Sequence, residues 1–158
     1  MMVTRLTHKY LFLALLLLGI TIPLHSAYSQ VAIEITENTS MRFGTIHALS
    51  TGDTITLTPT GTISALNGSP LTGSPAAANF QITGRKNRRV SISFSAGDTL
   101  TGPGGTLALG SFTNDAGNRP RFNRDGILNL NVGASLTIPP SLLGGSYSGT
   151  YAITVNYD

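Results

Sequence analysis

From Val31 onward the apolar residues recur with a period of two, and Gly, Pro, Asn, Asp and Ser interrupt them every eight to twelve residues. A helix would place its apolar residues three and four apart, so the pattern predicts antiparallel strands. They are expected at Val31–Ile35 running on toward Met41–Phe43, at Thr54–Thr58, Asn79–Thr83 and Val90–Ser95. Further strands are expected at Thr106–Phe112, Ile127–Val132, Ser135–Ile138 and Tyr151–Tyr157. Each carries an inward row, such as Ile55 and Leu57, Phe80 and Ile82, Leu128, Leu130 and Val132, or Tyr151, Ile153, Val155 and Tyr157. Thr, Ser and Asn occupy the alternate positions, as a half-solvated sheet face requires. Gly133-Ala134 between two alternating runs predicts a tight hairpin with positive φ at the glycine. Asn67–Pro70 and Gly102–Gly105 predict longer loops, and Pro139–Gly145 has room for one short turn. No stretch carries a useful helical stripe.

Such a pattern fits a single all-β antiparallel sandwich. An outer-membrane barrel is the competing all-β solution, but membrane strands need about 9–11 residues and aromatic girdles. These runs are shorter and aromatics make up only 7% of the chain.

The first 29 residues follow a different logic. Arg5, His8 and Lys9 form a basic start, Leu11 to Ile22 an apolar run, and Ala27-Tyr28-Ser29 a small-residue cleavage site. They read as a signal peptide cleaved before Gln30, too short in its apolar part and too interrupted by Pro23 and His25 for a membrane anchor. The mature part, 30–158, is then one domain of roughly 130 residues, an ordinary size for a single core. Export predicts the periplasm, the cell surface or the extracellular space, with no transmembrane anchor after cleavage. The chain has no cysteine, which excludes disulfides and thiolate chemistry.

Charge narrows the partners. The ten Lys and Arg include Arg5 and Lys9, leaving eight basic residues against seven acidic ones after cleavage, a net +1. This balance provides no broad field for nucleic acid. The densest charge is Arg85, Lys86, Arg88 and Arg89, followed by Arg119, Arg121 and Arg124. Two solvated loops account for both runs. If the loops met at one end of the sandwich they would also make a patch for an anionic partner.

Catalytic chemistry has little support. His47 is the one histidine outside the leader, and the acids are scattered singly beside turn residues. Asn114–Asn118 offers oxygens near a glycine but lacks the spacing of a calcium loop. No catalytic residue, metal site or cofactor is expected.

Three short segments carry a resemblance: Met41-Arg42-Phe43-Gly44, Ala78-Asn79-Phe80-Gln81-Ile82-Thr83-Gly84, and the stretch from Gly144-Gly145-Ser146-Tyr147 through Asn156-Tyr157. In order and spacing the chain resembles the secreted bacterial domain-of-unknown-function 4402 family. More distantly it is similar to spore coat protein U and the archaic chaperone–usher pilins. The resemblance implies an immunoglobulin-like sandwich that serves as a surface or fimbria-like subunit and assembles by β-strand addition. It also implies other copies or related subunits as partners, together with a periplasmic chaperone. The row Tyr151, Ile153, Val155 and Tyr157 would flank the receiving groove. Val31, Ile33 and Ile35 belong either to a donor segment or to the first strand of a complete sandwich. In that second case the protein is a self-contained secreted binding module for a glycan or envelope component.

Overall fold

The computed structural model describes residues 31–158; the expected signal peptide lies outside them. Eleven strands and no helix form among these residues. They are β1 (Glu34–Thr39), β2 (Thr45–Ile46), β3 (Asp53–Leu57), β4 (Ile63–Ala65), β5 (Leu71–Thr72), β6 (Ala78–Thr83), β7 (Val90–Phe94), β8 (Asp98–Gly102), β9 (Gly105–Asn114), β10 (Ile127–Ile138) and β11 (Ile153–Tyr157). All named pairings are antiparallel. The fold is an all-β sandwich.

The larger sheet is built around β10. Its first half pairs with β6, which in turn pairs with β1, and its second half pairs with β3, which pairs with β4. Along its opposite edge runs β9, which carries β8. Val132 faces Ala78 on one side and Asn114 on the other, so β6 and β3 follow one another along the same edge of β10. The tight hairpin expected at Gly133-Ala134 is therefore absent: β10 is one twelve-residue strand. The register explains why. A two-residue turn there would pair Val132 with Ser135 and put both on one face, whereas the buried row continues as Val132, Ala134, Leu136 and Ile138.

Gly133 has a different role. It stands where β10 changes partner from β6 to β3 and where its register against β9 shifts. A Cβ at this position would collide with the Leu57 carbonyl oxygen and the Thr58 carbonyl carbon. Close backbone approach, not a turn, demands the glycine. Gly102–Gly105 likewise proves tighter than a long loop, because Gly102 pairs with Gly105 and only Pro103-Gly104 connects β8 to β9. The short turn expected in Pro139–Gly145 forms at Pro140–Ser141.

The buried side chains divide into two clusters along β10. One contains Ala78, Phe80, Ile82, Leu130 and Val132 of the large sheet, covered by Val90 of β7, Val155 of β11 and Phe122. The second sheet, β7 with β11, is the lid of this half. The other cluster contains Ile55, Leu57, Leu107, Leu109, Leu136 and Ile138, and its cover is irregular: Phe43 and the partly buried Met41, Ile46, Leu142 and Tyr147. No paired strand of the second sheet extends over it.

Polar groups pin the register. Asn38, Asn79 and Asn131 form an amide ladder across β1, β6 and β10, with Nδ2–Oδ1 distances of 2.9 and 2.7 Å, and Asn131 Nδ2 continues to Asp115 Oδ2 at 2.6 Å. Buried Asp53 anchors the Asn67–Pro70 loop. Its Oδ1 accepts from the backbone N–H of Thr54 and Asn67, both at 2.7 Å, and Oδ2 from that of Ser69 at 3.0 Å. Desolvation alone would raise its pKa, but the Ser69 side chain beside it and these N–H donors prevail and hold it at about 2. The Ser69 hydroxyl itself does not meet hydrogen-bond geometry, so the backbone donors are the firmer cause.

Two outcomes follow from this arrangement. Gly133→Ala should lower stability by about 3 kcal/mol, the upper range for overpacking a close contact, seen as a lower urea midpoint at unchanged slope; a neutral result would contradict the tight approach to Leu57. Because the folded pKa of Asp53 lies below the ordinary value near 3.8, its contribution is complete above that value and is lost as the pH falls toward 2. Asp53→Asn should remove that part of the acid-side stability loss in pH-dependent melting and lower Tm at neutral pH.

Candidate functional site

Over the irregularly covered half of the core lies a groove of about 840 Å³. Its floor is core: Leu107 and Leu109 of β9 with Leu136 and Ile138 of β10. One wall is the segment Met41–Ala48, the other Leu142–Gly149 continuing to Tyr151. Two of the three motif segments singled out in the sequence therefore face each other across one cleft.

Each wall is held from its outer side. Arg42 exchanges backbone hydrogen bonds with Ala76 at 2.9 and 2.8 Å, Thr45 and Ile46 pair with Thr72 and Leu71, and the His47 N–H donates to the Pro70 carbonyl at 3.0 Å. Gly44 makes the bend between them with φ of 76°, and a Cβ there would stand 2.7 Å from the Thr72 carbonyl oxygen. On the opposite wall Thr101 and Ser148 exchange backbone bonds at 2.8 and 3.1 Å. Tyr147 lies against Gly102 and Gly104; its hydroxyl accepts from the Gly104 N–H at 2.8 Å and donates to the Leu143 carbonyl at 2.7 Å.

Tyr151 sits where the two core clusters meet. Its ring packs against Phe112 at 5.1 Å and edge-on to Phe80 at 6.5 Å. Its hydroxyl is buried and has no hydrogen-bond partner among the described residues. Burial, helped by the charge of Glu37, pushes its pKa up to about 12. An orphaned buried hydroxyl costs about 1–3 kcal/mol and calls for an explanation.

From Tyr151 the chain enters β11, an edge strand. It pairs with β7 alone. The bonds from Ser95 N to Ala152 O and from Asp158 N to Arg89 O fix the alternation of the ladder. Ile153, Val155 and Tyr157 thus turn their backbone N–H and C=O groups away from β7. These groups have no backbone partner among the described residues. Their side chains point inward, with Val155 buried and Ile153 and Tyr157 half-buried. The four residues expected to flank a groove therefore line a continuous free edge, Tyr151 at the groove and the other three beyond it.

Ile33 lies just before β1 and packs on the core, while Ile35 belongs to β1 opposite Ile82. Val31 is exposed, and its carbonyl accepts from the Tyr157 hydroxyl at 2.8 Å. In this structure β1 is a member of the large sheet, its outer edge unpaired among the described residues. The cationic residues are brought together: Arg89 bridges to Arg121, the Asn87 N–H donates to the Asn123 carbonyl and the Phe122 N–H to that of Arg88. This pole lies at the far end of β11 from the groove, because Tyr157 pairs with Val90 there. His47 is exposed on the groove wall, and no carboxylate lines the groove with it. In Asn114–Asn118 the oxygens already have work: Asn114 Oδ1 accepts from the Ala116 N–H, and Asp115 from Asn131. Sequence reasoning missed the leucine floor and the Leu142–Ser146 wall, although the exposed-core signal of Leu142-Leu143 beside Gly144-Gly145 pointed to it.

A family model described as a domain of unknown function, DUF4402, matches residues 33–157. The chain belongs to the DUF4402 family. The match embraces both groove walls, the floor and the free edge of this DUF4402 domain. No curated protein and no solved structure matches significantly.

The orphaned hydroxyl gives a direct check. Tyr151→Phe should leave the purified protein equally stable or more stable by about 1 kcal/mol in urea. A loss of that size would mean that the hydroxyl has a partner in the folded monomer.

Proposed function

We propose that this DUF4402 protein is an exported, non-enzymatic structural subunit of a surface or fimbria-like assembly, joined to other copies or related subunits by β-strand addition. The observation that carries the reading is the groove floored by Leu107, Leu109, Leu136 and Ile138 and continuous with the free edge from Tyr151 to Tyr157. The apolar floor and the unpaired backbone meet at Tyr151, which lines the groove and leads into the free edge. A strand laid there would gain main-chain hydrogen bonds from Ile153, Val155 and Tyr157, and its alternate side chains would enter the groove. It would also bring a polar backbone group to the Tyr151 hydroxyl. A periplasmic chaperone would cover the same surface before assembly, since an open hydrophobic edge invites aggregation.

The protein isolated from its native host should run as SDS-resistant multimers that dissociate on heating, with fibres or a surface layer in electron micrographs. Recovery of soluble monomer alone under every growth condition would refute strand-linked assembly.

A further inference from the structure

We propose that the cationic pole formed by the Arg85–Arg89 hairpin and the Arg119–Arg124 loop binds an acidic polysaccharide. Among the described residues seven of the eight Lys and Arg are in these two segments, the exception being Arg42. All seven are exposed. A domain with nearly balanced charge thus gathers its cations at one end, where Asp125 follows the second segment, Asp158 follows β11 beside Arg89, and Glu34 lies one strand away, opposite Thr83. Concentrating like charges opposes folding, and the field it creates attracts anions.

The pole is built rather than loose. Phe122, fully buried, is packed 5.9 Å from the Tyr157 ring under the two loops. The Tyr157 hydroxyl accepts from the Arg85 N–H at 2.7 Å, and the Val90 N–H donates to the Pro120 carbonyl at 3.0 Å. Two guanidiniums are oriented by main-chain oxygens: Arg88 Nη2 donates to that of Asp158, the last residue, at 3.1 Å and Arg121 Nη2 to the Asn87 carbonyl at 3.4 Å.

The neighbouring surface selects the class of anion. A shallow cleft of about 260 Å³ runs from Pro120 along Ser91, and Asn114, Asn118 and Asp158 also line it. Asp158 is the one charged residue of that lining; its amides and the Ser91 hydroxyl suit sugar hydroxyls, and the exposed guanidiniums of the two loops suit carboxylates. Neither loop exposes an aromatic side chain on which a nucleic-acid base could stack, since Phe122 is buried. Neither exposes an aliphatic wedge for entering a lipid surface. An added strand would lie along β11 and reach the border of the pole at Tyr157, whereas the cleft is lined by Val90, Ser91 and Ile92 of β7.

The test is titration of the purified full chain with oligogalacturonate by calorimetry, beside neutral dextran, a single-stranded oligonucleotide and phosphatidylglycerol vesicles. Oligogalacturonate should bind, dextran should not, and affinity should fall about tenfold or more between 50 and 200 mM salt. Arg85→Gln with Arg124→Gln, neither engaged through its side chain, should weaken binding about tenfold at unchanged Tm. Asn118→Ala should weaken oligogalacturonate but leave any oligonucleotide binding unchanged. No binding at 50 mM salt, equal or tighter binding of the oligonucleotide or vesicles, or indifference to the double substitution would overturn the proposal.

Discussion

The apolar row from Leu128 to Ile138 keeps one phase through eleven of the twelve residues of β10, and both halves of the core depend on it. A strand of that length outlasts any single partner, so β6 and β3 divide one edge between them and β9 takes the other. The price is the crowded point at Gly133, where the Leu57 backbone leaves no room for a side chain. With β10 continuous, the core becomes long, whereas the second sheet consists of β7 and β11 alone and covers only the Leu130 half. The Leu136 half must be closed by something else. In the described chain that cover is two irregular segments with a groove between them.

Much of this is legible in the sequence. Period-two alternation located the principal strands because each has one buried face, and Ile55, Leu57, Phe80, Ile82, Leu130 and Val155 are buried as their phase requires. The hairpin placed at Gly133-Ala134 came from weighing a glycine as a turn signal above the phase of the flanking residues. Glycine serves backbone proximity as readily as positive φ, and only the face on which Ser135 lies distinguishes the two. The two- and three-residue strands β2, β4 and β5 were illegible for another reason. They are too short to show a period, and they exist because of what they pair with.

The candidate site was legible in its parts but not in its assembly. The Tyr151–Tyr157 row announced an edge, and the Met41–Gly44 and Gly144–Tyr147 motifs were visible as motifs. That they face each other over Leu107 and Leu109 is a long-range fact, set by the pairing of Arg42 with Ala76 and of Thr101 with Ser148. The same limit applied to the arginines. Charge runs thirty residues apart become one pole only through contacts such as Arg89 with Arg121.

Groove, free edge and orphaned Tyr151 hydroxyl adjoin one another, and the proposed strand addition would cover all three. Residue-resolved hydrogen exchange of the backbone amides of Ile153, Val155 and Tyr157 reports on it directly, comparing the purified monomer with material assembled in the native host. These amides should exchange quickly in the monomer and become strongly protected in the assembly, while those of Thr154 and Asn156, already bonded to β7, are protected in both. Equal and rapid exchange of Ile153, Val155 and Tyr157 in the two states would contradict the account.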